Sequence, residues 1–123
     1  MNNGKIYATI MIAIWEYRDR DGQSPFGRWF ARLNAEAARK VTTALYRLGQ
    51  GNFSNVKGIG SGVFEHRIDF GPGYRVYFGK DGDSIVILLG GGTKHLQQKD
   101  IRYAVARWED YKQRKKRQKP EEV

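Results

Sequence analysis

Apolar and charged side chains alternate through residues 62–78, GVFEHRIDFGPGYRVYF, and the alternation predicts two strands joined at Gly71-Pro72-Gly73. With those three residues as the loop, Phe70 faces Tyr74, Ile68 faces Val76 and His66 faces Phe78 on one side of the hairpin. Asp69 then pairs with Arg75 and Arg67 with Tyr77 on the other side, with Glu65 just beyond. A two-residue Pro-Gly loop would mix the two faces, and its type II twist suits hairpins poorly. The hairpin therefore has one apolar face and one face carrying Glu65, Arg67, Asp69, Arg75 and Tyr77.

The same reading extends in both directions. Residues 6–17, IYATIMIAIWEY, are rich in β-branched and aromatic residues and read as a strand. Met11 lies inside it and offers an alternative start, which would make residues 1–10 an N-terminal extension. Ser24-Pro25 is a hydroxyl cap followed by a first-turn proline, and Phe26, Trp29, Phe30 and Leu33 recur at helical spacing. Asn34 caps a second helix with Glu36 in its first turn; Ala38, Val41, Leu45 and Leu48 form its stripe, and Gly49 and Gly51 end it. These two helices read as an N-terminal helical hairpin that needs one face of a sheet to cover. Residues 52–62 read as loop. Asp81-Gly82 predicts a two-residue turn that sets Phe78 opposite Ile85, Val76 opposite Ile87 and Tyr74 opposite Leu89. The run IVILL has no polar residue, so that strand is central and covered on both faces, and the glycines at 90–92 break it. Ile101, Val105 and Trp108 mark a C-terminal helix, followed by a basic, frayed tail over 112–123. The expectation is a single α+β domain over 1–123, built on a small antiparallel sheet.

Charge changes this picture. The chain carries +9; the segment 112–123 supplies six basic and two acidic side chains, so +4 sits there and the body keeps +5. Such an excess favours an anionic partner. The absence of cysteine excludes disulfides, zinc–thiolate sites and thiol nucleophiles, and fits a reducing, cytoplasmic setting. Two histidines are too few for a His-rich metal site, and the stretch 6–17 is too short to span a membrane. Neither metal nor cofactor is expected.

The charged hairpin face suits RNA scission by a neighbouring 2′-hydroxyl, which needs a base, an acid and cations for the charge that develops on phosphate. Arg75 and Arg67 supply guanidiniums that match phosphate in a bidentate way, and Lys94 adds charge at the exit of the last strand. Glu65 is the carboxylate base on that face, and Tyr77 stacks on a base or moves a proton. Lys57, His95, Lys112 and Arg114 are candidates for binding RNA phosphate. Each has a plainer reading. Asp69–Arg75 is also a cross-strand ion pair, Glu65–Arg67 a solvated strand face and Tyr77 a packing residue, while alternation puts His66 toward the core.

Several segments together resemble a known family. Ser24-Pro25-Phe26 with Trp29-Phe30, the stretch from Leu48-Gly49 through Asn52-Phe53 to Val56-Lys57, the run EHRIDFGPGYRVYF, and Gly91-Gly92 with Lys94, Gln97 and Asp100-Ile101 are similar to motifs of RelE/ParE superfamily toxins, in the HigB-like branch called addiction module killer proteins. The resemblance runs from about Met11 to Tyr111, and relatives of this branch usually begin at the residue matching Met11. It implies a RelE-like fold and the toxin half of a type II toxin–antitoxin pair: a metal-independent, ribosome-dependent mRNA endonuclease that inhibits translation in the bacterial cytoplasm. The implied partners are messenger RNA on the ribosome and a cognate helix-turn-helix antitoxin. Arg75 matches the family's transition-state arginine, Lys94 falls near a second basic catalytic position, and Arg67 falls near basic residues of the preceding strand. The C-terminal tyrosine of some members has no clear match at Lys99-Asp100-Ile101, and His66 stands where the motif usually has leucine. Two other readings accompany the resemblance: a ParE-like inhibitor of DNA gyrase, or an inactive relative that serves as antitoxin or operator-binding partner.

Overall fold

Two side-chain caps set where the helices begin. The Ser24 hydroxyl accepts from the Gly27 N–H, and the Asn34 side chain accepts from the Ala37 N–H. The computed structural model describes residues 11–118. They form β1 (Ala13–Glu16), α1 (Pro25–Ala31), α2 (Ala35–Gly49), β2 (Val56–Gly60), β3 (Val63–Ile68), β4 (Tyr74–Lys80), β5 (Ile85–Thr93) and α3 (Gln97–Arg117), with a 3-10 turn at Lys94–Leu96. The chain is α+β. The expected N-terminal extension 1–10, the strand's start at Ile6 and the last residues of the tail lie outside the described residues.

The five strands lie in the order β1-β5-β4-β3-β2. The sheet is mixed, not antiparallel as expected, because β1 joins it parallel to β5, with Ile14 beside Val86 and Trp15 beside Ile87. Alternation determines which residues share a face. It does not say which strand a short terminal segment will join, or in which direction. The stretch expected to be loop contains β2, whose glycines hide its alternation; it pairs Val56 with His66 and Lys57 with Glu65.

Two registers differ from expectation. In the β3–β4 hairpin Ile68 faces Tyr74, Arg67 faces Arg75 and Glu65 faces Tyr77. The loop is wider than Gly71-Pro72-Gly73, since Gly71 and Gly73 take φ of 55° and 81° and the Gly73 N–H closes on the Phe70 carbonyl at 2.9 Å. The slip is by two residues, so every side chain keeps its face. Between β4 and β5, Lys80 faces Val86 and Phe78 faces Leu88, and a bulge follows at Tyr77/Phe78. The Asp-Gly turn is part of a longer loop closed by the Asp81 N–H on the Ile85 carbonyl at 2.8 Å. Nor do the glycines at 90–92 end the strand, which runs on to Thr93.

The sheet is covered on both sides. Phe26 and Trp29 of α1 and Val41 and Leu48 of α2 pack on Val76, Phe78, Val86 and Leu88. On the other face Ala104 and Trp108 of α3 pack on Val63, Tyr77, Ile87 and Leu89. β5 is thus buried from both sides, as its unbroken apolar run predicts. The glycines have a packing reason: a side chain at Gly91 would collide with the Trp29 ring, and one at Gly79 with the Trp108 ring. The segment expected to fray is helical through Arg117. Arg114 binds Asp110 and the Arg18 carbonyl, while Lys115 and Tyr111 both hold Asp81 and keep its carboxyl below its usual range. Among the described residues no helix is long and apolar enough to cross a membrane.

Gly91→Ala should lower stability by about 1–3 kcal/mol through overpacking against Trp29, read from urea unfolding. His66 gives a second prediction. Burial depresses its pKa below the ordinary 6.5, so the unfolded chain binds the extra proton first. Its contribution is intact above about pH 6.5 and is lost as pH falls toward the folded value. His66→Leu should therefore flatten the decline of the unfolding midpoint between about pH 6.5 and 5. An unchanged slope would refute the assignment.

Candidate functional site

The strand registers stack the charged residues into two rows beneath α3. Lys57, Glu65, Tyr77 and Gly90 form one row across β2, β3, β4 and β5, and Arg67, Arg75 and Gly92 form the next. Cross-strand neighbours share a face, so these side chains meet. The expectation of one charged hairpin face holds, but most of that face is not solvated. Glu65 is 2% exposed, Arg75 8% and Tyr77 0%.

Glu65 is the hub. Its Oε1 lies 3.0 Å from Arg75 Nη1 and 3.9 Å from Arg67 Nε, and its Oε2 accepts from Gln97 Nε2 at 2.9 Å. The alternative Asp69–Arg75 pair does not form, because the two-residue slip puts Arg67 opposite Arg75 and leaves Asp69 exposed in the loop. A carboxylate buried between one guanidinium and one amide is poorly placed to take a proton from substrate. Its geometry makes Glu65 the group that orients Arg75.

The glycines of β5 let α3 approach this cluster. A side chain at Gly92 would collide with the Asp100 carboxylate. One at Gly90 would meet Arg107, whose Nη1 donates to the Leu89 carbonyl at 2.9 Å. Burial raises the Asp100 pKa, with Lys99 and Arg107 opposing, and its Oδ2 has no partner. Tyr77 is also without a hydroxyl partner. Its pKa is pushed up by burial and further by the charges of Glu65 and Asp100, against Arg75. Tyr77 therefore stays protonated and out of reach of solvent. Arg107 burial lowers its own pKa, yet the side chain remains a cation at neutral pH.

The solvent side of the cluster is cationic. Arg67 is 55% exposed at the side chain. Lys94 and His95 are exposed in the 3-10 turn, where the Lys94 N–H binds the Gly73 carbonyl at 3.1 Å and so ties the exit of β5 to the hairpin loop. Lys94, His95, Lys99 and Arg102 line a shallow depression of about 350 Å3 at the start of α3. Lys57 is exposed next to Glu65 on β2. Lys112 and Arg114 are elsewhere: they lie 15 and 17 residues beyond Gln97, over 20 Å along the helix by a rise of about 1.5 Å per residue. Lys112 is paired with Glu109 at 2.8 Å, and Arg114 is paired with Asp110. Those two do not join the site. His66 is buried on the opposite face, the α2 side of the sheet, as alternation predicts.

Sequence reasoning gave no role to Gln97, Asp100 or Arg107. Their spacing on α3 together with three consecutive strand glycines is the signal that a polar helix face lies directly on backbone. The assembled group can hold one rigid guanidinium, Arg75, beside mobile surface cations, an arrangement suited to an anionic ligand. Among the described residues no group of three or more His, Cys, Asp or Glu is placed to hold a metal ion.

Because Arg75 balances a buried carboxylate, Arg75→Ala should destabilise the fold by about 3–5 kcal/mol. The double replacement Glu65→Leu/Arg75→Met should lose much less than the single change, as read in urea unfolding. A double-variant loss equal to the sum of the losses of the two single changes would show that the pair is not coupled.

No family model matches the chain. A protein of Haemophilus influenzae strain Rd, described as uncharacterized, is 45% identical to it over 80 residues, which is 64% of this chain and 81% of the relative. At that identity and coverage the two share a fold and ancestry, and this chain belongs to the family of the Haemophilus influenzae protein.

Proposed function

We propose that this protein is the toxin of a type II toxin–antitoxin pair of RelE/ParE type, acting as a metal-independent mRNA endonuclease on the ribosome in the cytoplasm and neutralised by a helix-turn-helix antitoxin. The observation that carries the reading is the convergence of Arg75, Arg67 and Lys94 at one end of the sheet, with Arg75 locked by Glu65 at 3.0 Å. A guanidinium held rigid in a nearly dry setting stabilises charge on a phosphorane-like transition state better than a solvated one. Arg67 and Lys94 bind the flanking phosphate oxygens from solvent. On this reading α1 and α2 are the fold's helical hairpin. Glu65 positions Arg75 and takes no proton, and Tyr77 shapes the floor, so acid–base work falls to the exposed Lys94 and His95.

One observation favours a second reading. The burial of both Glu65 and Tyr77 leaves the cationic mouth without a solvent-facing carboxylate beside Arg75, which suits a gyrase-binding poison of ParE type with no RNA chemistry.

The test is a reconstituted translation assay with ribosomes stalled at a known codon and the messenger mapped by primer extension. Wild type should cut in the A site. Arg67→Ala, a surface change that leaves the Glu65–Arg75 pair intact, should slow cutting by about 10²–10³. Intact messenger with wild-type protein, together with loss of DNA supercoiling by gyrase, would decide for the second reading.

A further inference from the structure

A cleft of about 610 Å3 opens on the opposite side of the sheet edge, between α2 and the β2–β3 end. Arg39, Lys40 and Arg47 reach it from one face of α2, where their spacing places them together, and Arg67 reaches it from β3. Glu36 and Asp69 also line it, so four cations face two carboxylates. Among the described residues Arg39 and Arg47 make no ion pair, while Lys40 sits over the Phe70 ring at 5.4 Å. The far wall is neutral and hydrogen-bonding, from Asn52, Ser54 and Asn55. His66 forms part of the inner wall. It lines the cleft, is 5% exposed, and its Nδ1 has no hydrogen-bond partner.

The cleft meets the cationic end of the sheet at one residue, Arg67. β2 begins at Val56, so beyond His66 the β3 edge is covered only by the incoming chain, where the Arg67 N–H binds the Asn55 carbonyl at 3.1 Å. Arg67 therefore borders the cleft, while its Nε lies 3.9 Å from Glu65 Oε1 on the other face. We infer that this cleft binds the phosphodiester backbone of a single RNA strand, which passes over the sheet edge at Arg67 to reach Arg75 and Lys94. The inference rests on the nuclease reading above and extends it to a second stretch of substrate. Arg39 and Arg47 are eight residues apart, about 12 Å along the helix, so their guanidiniums meet different phosphates. The amide and hydroxyl side chains of the far wall meet ribose and base edges. An acidic peptide fits less well, because Ala44 and Ile68 are small or recessed and offer no pocket for the apolar anchors that a docked helix needs.

The test uses the full chain and a fluorescent single-stranded oligoribonucleotide with 2′-O-methyl riboses, which cannot be cleaved by 2′-hydroxyl attack. Binding is followed by anisotropy across a salt series. Arg39→Gln/Arg47→Gln should weaken binding and reduce the slope of log K against log salt by about 1.4, at about 0.7 for each phosphate no longer neutralised. Lys116→Gln on the far end of α3 should leave the slope unchanged, and circular dichroism should report the same fold for all three proteins. An unchanged slope in the double variant, an equal loss in Lys116→Gln, or no binding by wild type would overturn the proposal. So would binding of polyglutamate in place of the oligonucleotide, which would mark the cleft as a seat for an acidic protein segment. The outcome separates from that of the ribosome assay. If wild type cuts messenger while the double variant binds like wild type, the cleft proposal falls and the nuclease stands. If wild type cuts nothing while the two arginines govern oligonucleotide binding, the nuclease falls and the cleft remains an RNA site.

Discussion

The ion pair between Glu65 and Arg75 sets the terms for everything around it. Two opposite charges within 3.0 Å and almost out of solvent are unfavourable to bury unless the geometry is good and the remaining polar atoms are bonded. Gln97 supplies one further bond, and Arg67 adds charge from the solvent side. The pair contributes little net stability compared with an apolar pair of the same shape. What it contributes is a guanidinium with one orientation. That distinguishes Arg75 from Arg67 and Lys94, whose side chains reorient in water and act as diffuse charge.

The glycines at 90–92 make that arrangement possible. With side chains at these positions α3 would stand away from the sheet, and Gln97 and Asp100 would face water. Without them, α3 lies on the strand backbone and closes over Glu65, Tyr77 and Arg75, while Trp29 fills the opposite side at Gly91. One short sequence feature thus shapes both cores, and it works through what is missing rather than through what is present.

This explains how much of the protein is legible in its sequence. Helix starts are readable because Ser24 and Asn34 are local signals whose partners lie three residues away. The division of the β3–β4 hairpin into an apolar and a charged face is readable because it depends on parity, and a two-residue slip preserves parity. Register depends on loop width, which Gly71 and Gly73 leave open, and the Asp69–Arg75 pair fails to form for that reason. The parallel seat of β1 and the cover of α3 over Glu65 are non-local, so no pattern along the chain carries them. In the tail, charge density suggests a solvated end, whereas Tyr111, Arg114 and Lys115 find partners on Asp81, Asp110 and Arg18, up to about a hundred residues away in sequence.

Unsatisfied polar atoms show where fold and function compete. Among the described residues five buried side-chain atoms lack partners, and three of them, Arg75 Nε, Tyr77 Oη and Asp100 Oδ2, lie together beneath the first half of α3. A fourth, His66 Nδ1, faces the α2 cleft across the sheet. Folding alone favours apolar residues at all four places, since an unbonded buried donor or acceptor costs about 1–3 kcal/mol. The C-terminal half of α3 holds only the fifth, Arg114 Nε, on a side chain that is otherwise paired with Asp110, and there Trp108 stacks on Tyr111. The incomplete bonding is instead concentrated on the two sides of one sheet edge, and Arg67 is the residue that touches both. A chain selected for stability alone would spread such defects or remove them. Their grouping around a shared arginine marks the one part of the sheet where the chain keeps charge and polarity that folding alone does not favour.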